Sequence, residues 1–279
     1  MLNETFPLSL APTGMVPNRS MTPHVPLSPQ ELARDVALCV PIGISSVHIH
    51  ARNSEGEPTW SRDEYARLVG AVKDVEPTMV INVSTSGRNW SEIEKRADCL
   101  SLDGDLKPDI ASLTLSSQNF MKGPSINSPD DIRELARIML ERGITPELEV
   151  FDLGMVNAIH VMKSDGLLPN LPLVNVFVGN IYGAQATALE MGVMVNALPN
   201  NSIWSGAGLG VFQASAQMLA LAMGGGVRTG LEDSIFLDVK KTVLATNAEL
   251  VTRVSELASC LGKRAMSPDE FRRAALLGT

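Results

Sequence analysis

Apolar positions along the chain fall into two alternating patterns. Short, nearly continuous or period-two apolar runs are each followed by a longer segment whose apolar residues recur three and four apart. The first pattern predicts strands at "FPLSLAPT" (6–13), "SSVHIHA" (45–51), "MVINVST" (79–85), "IASLTLSS" (110–117), "PELEVFD" (146–152), "PLVNVFVG" (172–179), "NSIWSGAG" (201–208) and "GGVRTG" (225–230). The second predicts helices over 28–43, 61–76, 91–100, 128–143, 154–164, 184–195 and 211–224, and a long closing helix over 238–262. Ser28 with Glu31, and Ser61 with Glu64, stand in capping-box spacing; Ser128 opens and Gly143 ends the helix between them. Strands alternating with helices imply parallel pairing and right-handed crossovers. Eight such units in 279 residues predict one α/β domain, a (β/α)8 TIM barrel spanning 1–279. An open doubly wound sheet is the rival arrangement. The Pro-rich stretch at about 12–30 reads as a long active-site loop after the first strand.

Composition narrows the class. Apolar residues make up 44% of the chain, enough for a large core, and the formal charge is −8. With no basic stripe, nucleic acid is not an expected partner. An acidic chain with mean hydropathy near zero fits a soluble cytoplasmic enzyme. Cys39, Cys99 and Cys260 are odd in number and widely spaced, which argues against a disulfide framework or a thiolate zinc site. The first residues, "MLNETFPLSLAPTG", carry no basic n-region or long apolar run, so no signal peptide is expected. No run of about 18 apolar residues predicts a membrane span.

In a barrel of this kind the chemistry collects at the C-terminal ends of the strands. Polar residues pile up there: Thr13 and Gly14, His48 and His50, Ser84 and Thr85, Thr114 and Ser116, Glu147 and Glu149, then Arg228, Glu232 and Asp233. Residues two apart on a strand share a face, so His48 and His50 point together toward the barrel axis and form a bidentate metal clamp. An isolated HxH also arises from ordinary packing, so spacing alone leaves both readings open. The eighth strand lies beside the first and the first beside the second, which brings Glu232 within reach as third ligand. Two histidines and a glutamate with an open position make a catalytic zinc arrangement. Asp233 is then free to act as base, oriented by Arg228. "GAGLG" at 206–210 is GxGxG, not GxGxxG; it reads either as a turn that admits a phosphate or ligand backbone, or as plain tight-turn glycine. The Met-rich helices read as core, and His160 as an ordinary helix residue.

Taken in order, "APTG", "HIHAR", "ELEVFDLG", "WSGAG" and "RTGLEDS" resemble the β-keto acid cleavage enzymes, the group that includes 3-keto-5-aminohexanoate cleavage enzyme, from about residue 8 onward. The resemblance implies a zinc-dependent TIM barrel, assembled as a homotetramer, that converts a β-keto acid and acetyl-CoA into acetoacetate and an acyl-CoA. It implies His48, His50 and Glu232 as metal ligands and the Arg228–Asp233 pair for deprotonation. Ser84 and Thr114 (or Ser116) would hold substrate oxygens, and either Glu147 or Glu149 would contact substrate, since strand parity does not choose between them. The chain departs from the amine-substrate member near Val16, where an acidic residue stands in that member; an apolar residue there points to neutral or hydrophobic substrates. A metal-dependent TIM-barrel lyase or hydrolase that does not use CoA is the alternative activity, and a scaffold with a degenerate site a further one.

Overall fold

The computed structural model describes residues 4–277. Eight parallel strands close into a barrel: β1 (Leu8–Leu10), β2 (Ser46–Ile49), β3 (Val80–Val83), β4 (Ile110–Thr114), β5 (Thr145–Val150), β6 (Leu173–Val178), β7 (Ile203–Gly208) and β8 (Gly226–Thr229), with β8 pairing β1 and β6 pairing β7. The expected TIM barrel is therefore the fold. The surrounding helices are α1 (Pro29–Cys39), α2 (Arg62–Val75), the short α3 (Ile93–Ala97), α4 (Pro129–Glu141), α5 (Leu153–Ser164), α6 (Ala188–Ala197), α7 (Gln213–Ala222), α8 (Asn247–Ser259) and α9 (Pro268–Ala274). None of these is long and apolar enough to cross a membrane.

Local chemistry accounts for most of the boundaries. At α1 the Ser28 hydroxyl accepts from the Glu31 amide and the Glu31 carboxylate accepts from the Ser28 amide, a complete capping box; losing such a cap costs about 1 kcal/mol. The same spacing at Ser61 and Glu64 forms no side-chain cap. There the Arg62 amide donates to Asp98 instead, so a tertiary partner replaces the local one. The expected closing helix over 238–262 is realised only as α8. Residues 236–244 form a loop held by a bridge between Phe236 and Leu244, and Thr246 begins α8 with its own capping box. Three further elements carry no long periodic run: α9, a two-residue parallel pairing of Thr5–Phe6 with Arg264–Ala265, and a hairpin of Gln118–Phe120 with Gly123–Ser125 after β4.

The barrel interior is layered. Val80, Ile110 and Leu173 meet Phe271 of α9 and the following Ala275 and Leu277, so this helix and its end plug the N-terminal end with apolar groups; each Val, Leu, Ile or Phe side chain contributes about 1.5–3 kcal/mol when fully buried. Above it the buried residues are polar: Ser9, Ser46, Asn82, Ser112, Glu147 and Asn175. Glu147 accepts a 2.7 Å hydrogen bond from the Asn82 amide nitrogen, and burial pushes its carboxyl up to about 7 despite the opposing field of Arg228. An unfolded-chain glutamate ionises near its ordinary value of 4.5. The folded state therefore holds the extra proton between about 4.5 and 7, and Glu147's contribution is full below that window and lost as pH rises through it. Glu147→Gln is expected to flatten the fall in stability between pH 5 and pH 8, worth ~3 kcal/mol at most. Urea midpoints across that range test it; an unchanged pH slope would exclude a buried neutral Glu147.

Candidate active site

The side chains gathered above the polar layer come from strands that the closure makes neighbours. β8, β1 and β2 are adjacent, as the sequence requires for Glu232 to meet the histidines. His48 Nε2 lies 3.1 Å from His50 Nε2, His50 Nε2 lies 3.1 Å from Glu232 Oε1, and His48 Nε2 lies 3.9 Å from Glu232 Oε2. One donor atom from each of the three falls within 4.8 Å of the others, the spread that a single ion can bridge. Burial, then the nearby Arg228 charge, lowers the His48 pKa well below its ordinary value, so the ring is neutral and its lone pair is available. Burial alone would raise the Glu232 carboxyl, but the Arg228 charge, with the hydrogen bond to His50, outweighs it and holds it ionised. Glu232 Oε2 is buried and makes no hydrogen bond among the described residues. The neutral His48 imidazole, the His50 ring and an ionised carboxylate with an unpartnered oxygen, all converging, fit a divalent cation.

The backbone is shaped to allow this convergence. Gly14 has φ +65° and a Cβ there would overlap the Glu232 side chain, so the "APTG" glycine makes room for the carboxylate. Gly230 has φ +147° and packs against the Ala11 backbone, where the Glu232 amide donates to the Ala11 carbonyl at 3.1 Å. Arg52, from "HIHAR", donates to the Gly14 carbonyl at 2.6 Å, the Pro17 carbonyl at 3.0 Å and the Gly56 carbonyl at 3.1 Å, and so ties the loop after β1 to the end of β2. The Asn247 side chain accepts from the Leu231 amide and donates to the Pro12 carbonyl, which fixes the loop carrying Glu232 from behind.

Arg228 lies at the centre of the charges. Its Nε donates to Asp233 Oδ2 at 3.0 Å and its Nη2 pairs with Glu232 Oε1 at 2.8 Å. Its Nη1 makes no hydrogen bond among the described residues and stands 4.0 Å from Glu149 Oε1. Burial pushes the Asp233 carboxyl up to about 6, against the pull of Arg228. An open cavity of about 1040 Å³ lies over these groups, lined by His50, Ser84, Thr114, Glu149, Arg228, Glu232, Asp233 and Val16 among others.

The strand-five alternatives separate by depth. Glu149 reaches the cavity and accepts from the Thr114 hydroxyl at 2.6 Å, whereas Glu147 lies one layer below it. Thr114 rather than Ser116 faces the cavity; Ser116 is exposed, and its carbonyl accepts from Asn127. Thr13 is buried, donates to the Pro26 carbonyl at 2.9 Å and does not line the cavity. In the glycine-rich turn, a Cβ on Gly206 would overlap Ala220 and one on Gly208 would overlap the Phe212 carbonyl, so both are close-packing residues. Gly210 lines the cavity, and its amide donates to the Asp233 carbonyl at 2.7 Å. Sequence reasoning did not single out Arg88 and the Phe120–Phe151–Phe177 wall of the cavity. The only sequence signal for Arg88 is its place just after a barrel strand.

The chain matches the family described as beta-keto acid cleavage enzyme over residues 7–277. It is 32% identical over 274 residues to a 3-keto-5-aminohexanoate cleavage enzyme of Fusobacterium nucleatum, with 97% of each chain covered. It is 33% identical over 275 residues to a 3-oxoadipate:acetyl-CoA acetyltransferase of Cupriavidus necator, covering 97% of this chain and 94% of the relative. Among solved structures, apo ObcA superposes with a TM-score of 0.80 at 20% identity, covering 92% of this chain and 66% of its own length, a likeness of fold. The chain belongs to the β-keto acid cleavage enzyme family.

Proposed function

We propose that the protein converts a β-keto acid and acetyl-CoA into acetoacetate and the corresponding acyl-CoA by a zinc-dependent retro-Claisen exchange. The observation that carries this reading is the convergence of His48, His50 and Glu232 within 4.8 Å, beside the Arg228–Asp233 pair and under one cavity. Family membership supports the reaction class, and so do the names of relatives such as the 3-dehydrocarnitine:acetyl-CoA trimethylamine transferase of Rhizobium meliloti, 29% identical over 299 residues.

His48, His50 and Glu232 would hold the divalent cation, and two imidazoles with one carboxylate suit zinc. When bound, the ion supplies Lewis acidity to the keto and carboxylate oxygens and so acidifies the methylene between them. Arg228 Nη1, unpaired by hydrogen bonds, faces the substrate carboxylate. Ser84 and the Thr114–Glu149 pair hold substrate oxygens. Asp233, held by Arg228, takes one methylene proton. The resulting carbanion attacks the acetyl carbon of acetyl-CoA and expels the CoA thiolate. The thiolate then adds to the original ketone carbon. Cleavage of the bond between that carbon and the former methylene carbon releases the new acyl-CoA, and the departing carbanion recovers the proton to become acetoacetate.

The reading also takes the protein to be a cytoplasmic homotetramer, a state that sedimentation equilibrium checks. A panel of β-keto acids assayed for acetoacetate with and without acetyl-CoA tests the reaction. Acetoacetate that appears only with acetyl-CoA, in step with acyl-CoA, is expected. Turnover without acetyl-CoA would point to a lyase or hydrolase instead.

A further inference from the structure

The cavity contains a second guanidinium that the exchange chemistry does not use. Arg88 follows β3 in "STSGRN" and lines the same cavity as Arg228, Glu232 and Asp233. The charge of Arg228 is met by Asp233, Glu232 and Glu149. Arg88 has no carboxylate within 4.0 Å among the described residues; its guanidinium instead lies over Phe120, 4.1 Å from the ring centre. Phe120 meets Phe151 edge-on at 5.6 Å, Phe151 stacks on Phe177 at 4.7 Å, and Arg228 lies 5.1 Å from the centre of Phe177. Two guanidiniums thus flank the ends of one three-ring wall, and all three rings line the cavity.

Arg88 is placed there by packed structure. A Cβ on Gly87 would overlap the Ile126 carbonyl. Buried Arg96 pins the same loop, donating to the Thr85 carbonyl at 2.9 Å and to Asn127 Oδ1 at 2.7 Å. A partly buried, fixed fork of donors that faces the cavity, with Glu149 and Glu232 across it but no carboxylate within ion-pair distance, is built to receive a carboxylate or phosphate. Acetyl-CoA carries phosphates, but the exposed Lys122 and Lys241 also line this cavity and offer cations nearer to solvent. Val16 lines the cavity too, yet it brings no charge to offset Arg88.

We propose that Arg88 binds the distal carboxylate of a 3-oxo dicarboxylic acid, whose β-keto acid end lies at Arg228 and whose chain runs along the phenylalanine wall. This rests on the β-keto acid cleavage reading and departs from the expectation of a neutral substrate drawn from Val16.

The test compares 3-oxohexanedioate with 3-oxohexanoate, which has the same carbon chain without the second carboxylate, in wild type, Arg88→Gln and Arg88→Lys. A fixed charge-assisted contact predicts a wild-type kcat/KM preference for the diacid of roughly 10–100-fold. The preference should collapse toward one in Arg88→Gln, mainly through the diacid KM, and recover in part in Arg88→Lys. The KM for acetyl-CoA should stay unchanged. A wild-type ratio near one overturns the proposal. So does an Arg88→Gln variant that raises the acetyl-CoA KM while keeping the ratio, which would assign the anion to CoA phosphate. If neither acid yields acetoacetate, the cleavage reading fails, and calorimetric binding still decides Arg88. Diacid binding weakened in Arg88→Gln sustains the role, and binding indifferent to the substitution removes it.

Discussion

Replacing His48 with alanine is expected to remove bound metal and activity together while leaving the barrel folded. The ring is buried within β2 and its Nε2 faces both His50 and Glu232, so its loss opens the donor set from three to two. Lewis-acid assistance is worth several kcal/mol of barrier, which corresponds to a fall of at least about 10³-fold in kcat/KM. The cost to the fold is that of a large-to-small core substitution, about 2–5 kcal/mol. Elemental analysis after dialysis, circular dichroism and turnover measured on one preparation check all three. A variant that keeps stoichiometric zinc, or keeps activity after losing it, removes His48 from the ligand set.

Asp233→Asn is expected to give the opposite separation: metal retained, turnover stopped. Asparagine preserves the size of the side chain and can still accept from Arg228, but it cannot take a proton. General-base catalysis is worth about 10²–10⁴-fold, and the loss should fall on kcat. Solvent deuterium should also fail to enter the methylene of the β-keto acid above the uncatalysed rate, which a purely structural role would not produce. A rate loss under about tenfold would make Asp233 a bystander to the proton transfer.

The residues show why some of this was legible in the sequence and some was not. His48 and His50 declare a shared face because strand parity is a local property, and barrel closure follows from the count of units, so the approach of Glu232 could be derived before any coordinates. Glu147 and Glu149 have the same parity, and only their height above the plug formed by α9 separates a buried neutral acid from a cavity-facing one. Ser61 and Glu64 have the right spacing for a cap, but Asp98, 36 residues from Arg62, takes the amide at the helix start. The segment before α8 has helix-compatible residues, yet Asp238 accepts from the Thr242 and Val243 amides and turns the chain instead. Thr13 and Ser116 lie near strand ends, but Thr13 donates into the following loop and Ser116 is exposed with its backbone carbonyl accepting from Asn127, a choice made by the loops rather than by the strands. Arg88 belongs to no pattern at all. Its meaning comes from Phe120, which reaches it from a hairpin after a different strand, and from having no ion-pair partner within 4.0 Å among the described residues.

The most direct measurement of the metal centre is anomalous diffraction at the zinc edge from crystals of active, zinc-loaded protein. One peak bonded to Nε2 of both His48 and His50 and to the Glu232 carboxylate, beside an Arg228-paired Asp233, is the expected result. Active crystals whose only zinc peak lies away from these three side chains would contradict it.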